Sequence, residues 1–158
     1  MTTPLEGAAG IVNACEPINN VITGGQPTAA QLQALSEAGV KLVLDIRDPM
    51  EPRPLTDEPA EVRSHGMEYV NVPVSSATLN DDTMDRILNV LRQHSGEPIF
   101  FHCGSANRVG GALIAHFMLD QGMSEEQAMR EGMRVGLRSP EYLQWGVDYA
   151  RRHAATKS

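Results

Sequence analysis

The sequence predicts an α/β fold with a central, mainly parallel sheet of about four to five strands flanked by helices. Three apolar segments rich in branched or aromatic residues, 40–46, 67–72 and 98–102, are typical of buried strands. Segments whose apolar residues recur at helical spacing separate these three strands. Strands that alternate with helices favour a parallel sheet that is covered on both faces.

The N-terminal part of the chain has the weakest pattern. Residues 1–17 contain Gly, Ala and Pro without clear periodicity, and we expect an irregular lead-in to a single domain over residues 18–155. Residues 18–22 are expected to form a short edge strand that ends at two glycines.

The helices are predicted from their ends. A capping residue, a proline in the first turn or a terminating glycine marks most of them. The clearest case is Thr28 with Gln31, which matches a capping box, and Gly39 ends that helix. The expected helical segments are 28–39, 58–65, 80–95, 112–119, 124–134 and 139–149.

Length and composition limit the function classes. A chain of 158 residues, 41% hydrophobic and 21% charged, suits one globular domain. A formal net charge of −7 disfavours binding to nucleic acid or to an anionic membrane surface. No apolar stretch has transmembrane length and no signal peptide is evident, so we expect a cytoplasmic protein.

The two cysteines, Cys15 and Cys103, do not form a disulfide framework. No metal-ligand spacing links them to the five histidines, so we expect neither a metal nor another cofactor. A reducing compartment suits a reactive thiol.

The segment 98–111 holds the candidate site. An apolar strand ends at Cys103, a loop of small residues follows, and Arg108 precedes a glycine-containing helix. This order aims backbone N–H groups and the positive end of a helix dipole at one point. The loop amides of Gly104, Ser105, Ala106 and Asn107 would hold an anion, the guanidinium would bind it in bidentate fashion, and a thiolate would be favoured.

A plainer interpretation stands beside this one. A cysteine at the end of a core strand is often only a small buried hydrophobe, and an arginine five residues later is often a surface charge. The preceding strand, the following glycines and the adjacent His102 favour the site. In a parallel sheet, ligands bind beyond the carboxyl ends of the strands, where loops 47–56, 73–80 and 103–109 should meet.

Four motifs in this order resemble a known family: 24–28, 43–47, 69–74 and His102-Cys103 followed by Arg108. The chain is similar to dual-specificity, cysteine-dependent phosphatases over residues 18–150. It most resembles the small bacterial phosphatase-like proteins named after the beta-lactamase-hydrolase family. The resemblance implies a protein-tyrosine-phosphatase-like fold, a phosphocysteine on Cys103, a phosphoryl grip by Arg108 and a loop-supporting role for His102.

Three departures from that family pattern bear on the chemistry. Four residues, not five, separate Cys103 from Arg108, which is the spacing of rhodanese-like sulfurtransferases. Val109 stands where the family commonly has Ser or Thr. No Asp follows the 69–74 segment closely, so Asp81 and Asp48 are the candidates for the general acid, with Asp82 and Glu51 as further carboxylates nearby.

These observations leave three hypotheses. The first is a cysteine-dependent hydrolase of phosphomonoesters, expected to be weak because a missing acid costs about 10²–10⁴-fold with a poor leaving group. The second is sulfur transfer through a Cys103 persulfide, and the third is a non-catalytic phosphate-binding module. Each implies an anionic ligand, phosphorylated or carrying sulfane sulfur, and the sequence identifies no protein partner.

Overall fold

The structure, a computed structural model, describes residues 2–52 and 55–154. The predicted end of the domain at residue 155 and part of the predicted 47–56 loop lie outside these residues. The described strands are β1 (Cys15–Ile18), β2 (Val21–Gly24), β3 (Leu42–Asp45), β4 (Glu68–Asn71) and β5 (Ile99–His102). The described helices are α1 (Pro4–Gly7), α2 (Ala29–Glu37), α3 (Glu58–Ser64), α4 (Asp81–Gln93), α5 (Asn107–Leu119), α6 (Glu125–Val135) and α7 (Pro140–Ala154).

The five strands form one sheet in the order β1-β2-β5-β3-β4. β2, β5, β3 and β4 run parallel to one another, and the edge strand β1 pairs antiparallel with β2. The predicted α/β fold with a mainly parallel sheet is therefore confirmed. β5 lies in the middle of the sheet, so the residue that follows it is held by pairing on both sides.

The N-terminal segment is more regular than expected. Residues 4–7 form α1, and residues 15–18 form the edge strand of the sheet. The predicted strand over 18–22 is wrong because these residues span the turn of a β1–β2 hairpin, in which Ile18 pairs with Val21. Asn20 adopts the left-handed conformation, with φ of 71°, which asparagine tolerates in tight turns.

Side chains alternate across the sheet into two apolar layers. Phe101, Leu42 and Leu44 pack into the layer formed with α4 and α5, whereas Phe100 and Val43 pack toward α2 and α3. This alternation follows from the period of two along a strand. Both phenylalanines are fully buried, so truncation of either to Ala should cost about 3–5 kcal/mol of stability.

Two glycines in α5 bring the last two helices close to the α5 backbone. A Cβ at Gly110 would lie 2.7 Å from the carbonyl oxygen of Gly132, and one at Gly111 would lie 2.7 Å from that of Tyr142. α6 and α7 can therefore pack directly on the α5 backbone, and the first turn of α7 lies beside the loop that precedes α5. None of the helices in the described ranges has the length and apolar character needed to cross a bilayer.

Candidate active site

The loop between β5 and α5 is held by its carbonyl groups. The Gly104 carbonyl accepts a hydrogen bond from the Gln26 amide (3.1 Å), and the Ser105 carbonyl accepts one from Asn13 Nδ2 (2.9 Å). Among the described residues, the amides of Gly104 and Ser105 donate no hydrogen bond to another backbone group, and an isolated antiparallel bridge pairs Ser105 with Gly25. Their N–H groups are therefore available to an anion.

Close approach of the β2 end fixes this loop further. A Cβ at Gly25 would lie 2.5 Å from the Gly104 carbonyl oxygen, so a side chain there would displace the loop. Ala106, the N-cap residue of α5, is left-handed with φ of 71° and makes no side-chain capping hydrogen bond. The first N–H groups of α5 consequently lack the side-chain acceptor that usually satisfies such groups.

The Asn107 side chain ties this loop to the start of α7. Its Oδ1 accepts hydrogen bonds from the amides of Arg138 (2.7 Å) and Ser139 (3.1 Å), and its Nδ2 donates to Ser139 Oγ (2.8 Å). Sequence reasoning assigned Asn107 only a loop amide. The structure adds a side chain that positions the neighbouring segment.

Arg108 is paired with Glu51, which lies on the loop after β3. Its Nη1 and Nη2 donate to the two Glu51 carboxylate oxygens at 2.5 and 2.9 Å, and Nη1 also reaches the Val74 carbonyl at 3.2 Å. The hydrogen bonds from Arg108 lower the pKa of Glu51 to about 2. Burial lowers the pKa of Arg108, but the Glu51 carboxylate and the nearby Cys103 outweigh burial and raise it.

Cys103 itself is fully buried at the end of β5. A Cβ at Gly104, the next residue, would lie 3.3 Å from Arg108 Nη2, so the guanidinium lies against the loop that follows Cys103. The structure therefore brings the predicted thiol and guanidinium together behind the uncapped end of α5.

His102 is a buried histidine with an acceptor at each ring nitrogen. Nε2 lies 2.6 Å from Glu58 Oε2, and Nδ1 lies 3.1 Å from the carbonyl oxygen of Cys103. A carboxylate and a carbonyl only accept, so an imidazolium, with an N–H on each ring nitrogen, would satisfy both contacts. Burial lowers the pKa of His102, but the Glu58 hydrogen bond and the charges of Glu58 and Asp45 raise it overall.

Glu58 links His102 to the Arg108 side of the site. Burial raises the pKa of Glu58, but hydrogen bonds from His102 and Gln26 lower it overall. Gln26 Nε2 donates to Glu58 Oε1 at 2.6 Å, and Arg47 Nη1 donates to Gln26 Oε1 at 2.5 Å. Arg47 Nε also lies 3.5 Å from Glu51, so polar contacts run continuously from His102 to the Arg108 partner.

Asp45, Glu58 and His102 are a buried group that could hold a metal ion. Their ligand atoms are already used in hydrogen bonds, because the Tyr69 hydroxyl donates to Asp45 Oδ2 at 2.6 Å and Gln26 donates to Glu58. These hydrogen-bond donors, together with the His102 ring and Arg47, stabilise the two buried carboxylates.

An open pocket surrounds the Arg108 guanidinium. Residues from the loop after β3, the loop after β4 and the first turn of α7 line it, which matches the expectation that loops at the carboxyl edge of the sheet meet. The lining residues are Asp48, Met50, Glu51, Pro52, Ser75, Ser76, Arg108, Glu141 and Tyr142.

The candidate acids are placed differently. Asp48 lines the pocket, and its Oδ1 accepts a hydrogen bond from the Met50 amide. Asp81 pairs instead with Arg152 at 2.5 and 2.7 Å, about 15 Å along α7 from the pocket residue Tyr142. The N-cap residue of α4 is Asn80, and Asp81 is the first residue of that helix. Of the two candidate acids, only Asp48 lies in the same pocket lining as Arg108.

Sequence reasoning missed three residues at this site. Glu58 opens α3, and Glu141 and Tyr142 lie in the first turn of α7. Each resembles an ordinary residue of a helix start, and only the packing of α3 and α7 against the carboxyl edge of the sheet brings it to the site. No local pattern could have identified them.

Comparison with solved structures identifies the class of fold. The DUF442 protein of Shewanella putrefaciens superposes with a TM-score of 0.77 at 22% identity, over 94% of this chain and 97% of that one. PTPMT1, solved with PI(5)P, gives 0.76 at 15% identity over 92% and 99% of the two chains. TpbA of P. aeruginosa, solved with pTyr, gives 0.70 at 17% identity over 93% and 92%. The chain therefore has a protein-tyrosine-phosphatase-like fold.

The family follows from the sequence itself. Residues 8–144 match the family described as DSP-PTPase phosphatase fused to NAD+ kinase, and the chain belongs to that family. The predicted resemblance to dual-specificity, cysteine-dependent phosphatases is confirmed, while the finer resemblance to the beta-lactamase-hydrolase type stays a prediction. No curated protein matches the chain.

Proposed function

We propose that the chain is a cysteine-dependent hydrolase of phosphomonoesters that acts through a phosphocysteine on Cys103. The observation that carries this proposal is that the Arg108 guanidinium lies against the loop that follows Cys103, at the uncapped N-terminus of α5. Membership of a phosphatase family supports the same reaction class. His102 would support the loop, because its Nδ1 lies 3.1 Å from the Cys103 carbonyl oxygen.

The reaction would proceed in two displacements. The Cys103 thiolate attacks phosphorus, so that an S–P bond forms and the P–O bond to the leaving group breaks. A water oxygen then attacks phosphorus, the S–P bond breaks, and inorganic phosphate and the thiolate are released. The amides of residues 104–108 and the Arg108 guanidinium would stabilise the phosphoryl charge in both steps.

At least one hydrogen bond between Arg108 and Glu51 must break during this reaction. Its carboxylate takes two guanidinium N–H groups, so a phosphoryl group that binds Arg108 by the same nitrogens competes with it. At neutral pH Glu51 is ionised, because its pKa is about 2, and it cannot donate a proton to the leaving group from this position.

We assign protonation of the leaving group to Asp48, the predicted acid that lines the pocket. Val109 is buried in the core and offers no hydroxyl to assist the departing thiolate. We therefore expect low turnover with alkyl phosphates and better turnover with aryl phosphates, whose leaving groups need little protonation.

Hydrolysis of an aryl phosphate by the purified chain tests the proposal. Turnover should persist in EDTA, be inhibited by vanadate and disappear in Cys103→Ser. Unchanged turnover in Cys103→Ser would contradict the proposed mechanism. Phosphate binding that survives Cys103→Ser, is lost in Arg108→Ala and occurs without any turnover would favour the binding-module hypothesis.

Sulfur transfer is the second candidate, and the four-residue spacing between Cys103 and Arg108 favours it. Incubation with thiosulfate followed by intact-mass measurement separates the two reactions. A sulfur adduct on Cys103 together with absent phosphatase turnover would favour the persulfide route.

A further inference from the structure

The pocket around Arg108 carries more negative than positive charge. Its lining within the described ranges includes one cation, Arg108, and three carboxylates, Asp48, Glu51 and Glu141. The cation is already paired with Glu51 in bidentate fashion. The lining thus has a formal net charge of −2, and the whole chain, at −7, repels anions as well.

Two other arginines of the described chain, Arg47 and Arg138, have protein partners of their own. Arg47 donates to Gln26 Oε1 and to the Pro52 carbonyl, both at 2.5 Å, and its Nε lies 3.5 Å from Glu51 Oε1. Arg138 donates to two backbone carbonyls at 2.8 and 3.1 Å, and neither arginine lines the pocket. Arg53 lies outside the described residues. Apart from Arg108, the described lining offers no positive charge to a second phosphate.

The rim also has an apolar side. Met50 is 90% exposed at the tip of the loop after β3, and its amide is held by Asp48 Oδ1 at 2.8 Å. Pro52 and the partly buried Tyr142 complete this side. Flat and flexible apolar side chains of this kind suit an aromatic ring attached to the phosphoryl oxygen.

We propose, as an extension of the proposed function, that the pocket selects singly phosphorylated aromatic groups with neutral or cationic surroundings: phosphotyrosyl side chains in basic peptide segments. One phosphoryl group takes the loop amides and Arg108, and its ring lies against Met50 and Tyr142. Flanking Lys or Arg side chains meet Glu141, which has no assigned role in the reaction. A phosphoinositide headgroup, with more than one phosphate, would bring its second phosphate against this carboxylate.

Matched phosphotyrosyl peptides with two flanking Lys, Gln or Glu residues test this preference, together with short-chain soluble PI(5)P. At low ionic strength we expect kcat/KM to be about tenfold higher for the Lys peptide than for the Glu peptide. The ratio should approach one in 1 M salt, where the Debye length is about 3 Å. PI(5)P should be a poorer substrate than the Gln peptide.

Two substitutions that change the net charge equally distinguish the effect of the pocket carboxylates from the effect of the net charge of the whole chain. Glu141→Gln should reduce the Lys-to-Glu preference about threefold, because one carboxylate of the rim is removed. Glu126→Gln changes the net charge equally, but its carboxylate is exposed on α6 outside the pocket, and the preference should not change.

An equal or higher rate for the Glu peptide or PI(5)P would overturn the charge preference while leaving the phosphatase proposal intact. Absence of Cys103-dependent phosphate release from every substrate, aryl phosphate included, would contradict the proposed function instead. In that case the charge preference is tested by the affinities of Cys103→Ser for the same peptides. Affinity that falls from the Lys peptide to the Gln peptide to the Glu peptide supports the preference, and equal affinities or the reverse order overturn it.

Discussion

The N-termini of α4 and α5 differ in how their free N–H groups are satisfied. In α4, Asn80 Oδ1 accepts from the Thr83 amide at 2.9 Å, and two aspartates follow in the first turn. α5 has no capping side chain and no acidic residue in its first turn, and it carries Arg108 there instead. The first arrangement stabilises a helix, whereas the second leaves the first N–H groups of α5 without a side-chain acceptor at the end of the central strand.

This contrast explains why the second helix end suits an external anion. An N-terminus without a cap gives up about 1 kcal/mol of helix stability, and a cation in the first turn opposes the helix dipole. The sheet offsets that loss, because β5 is paired on both sides and α6 and α7 pack on the α5 backbone. Of the four predictions that follow, three test the contrast between these two ends, and one tests the buried pair of Glu58 and His102 behind the α5 end.

The largest effect is expected from Arg108→Lys. A lysine keeps the charge but loses the planar, bidentate donor, so kcat/KM for an aryl phosphate should fall about 10²–10³-fold. Arg152→Lys is the matched control, because Arg152 also binds a carboxylate in bidentate fashion, that of Asp81 at the start of α4. The control should stay within twofold of wild type, and a similar loss in both variants would refute the assignment.

Glu58→Gln should destabilise the fold by about 3 kcal/mol, because it leaves the buried His102 charge without its partner. The pKa of His102 is raised above its ordinary value of 6.5 in the folded protein. The stability that protonated His102 contributes is therefore fully present below about pH 6.5, and it is lost as pH rises through the pKa of the folded state. The pKa of Glu58 is lowered below its ordinary value of 4.5 in the folded protein. The stability that the Glu58 carboxylate contributes is therefore fully present above about pH 4.5, and it is lost as pH falls through the pKa of the folded state. The difference from wild type should therefore be largest between about pH 4.5 and 6.5.

Urea unfolding across pH measures this difference. The control is Glu61→Gln on the same helix, where Glu61 pairs with the partly exposed His65 at 3.1 Å. A solvated pair of this kind should contribute less than about 1 kcal/mol. Equal effects of the two substitutions at every pH would show that the buried pair carries no special stability.

Asn107→Ala should lower stability by about 1–2 kcal/mol, since two backbone amides at the start of α7 lose their acceptor. The pocket residues of α7 should shift with that segment, and kcat/KM should fall roughly tenfold. Thermal unfolding and aryl phosphate hydrolysis measure the two effects. Full activity at reduced stability would show that the Asn107 side chain does not position the site.

The smallest effect on activity is expected at the capped end. Asn80→Ala should cost about 1 kcal/mol of stability through loss of the α4 cap, with turnover within twofold of wild type. Stability and turnover are measured as for Asn107→Ala. A loss of turnover larger than that of Asn107→Ala would contradict the distinction between the two helix ends.

Local sequence patterns predicted most of the fold. The capping boxes at Thr28 and Ser124 have both of the predicted reciprocal hydrogen bonds, and the three apolar segments are the parallel strands β3, β4 and β5. The β1–β2 hairpin was missed, because its turn depends on Asn20 in the left-handed conformation rather than on a glycine. Local sequence patterns reflect the backbone preferences of short segments. They predict secondary structure correctly where residues close in sequence determine the conformation.

The site was only partly predictable for a related reason. Cys103, Arg108 and the loop between them lie in one continuous segment, so a single strand-to-helix pattern identifies them. Glu51 binds Arg108 across 57 positions of sequence, and Glu58 binds His102 across 44. Contacts at such separations depend on tertiary packing and leave no periodic or spacing signal in one sequence.

Capture of the covalent intermediate tests the central claim most directly. Turnover of an aryl phosphate is stopped by rapid acid quench, and the mass of each cysteine-containing peptide is measured. We predict one phosphoryl group on the peptide that contains Cys103, none on the peptide that contains Cys15, and almost none in Arg108→Ala. Hydrolysis at the wild-type rate without a phosphoryl group on Cys103, or with one on another residue, would contradict the account.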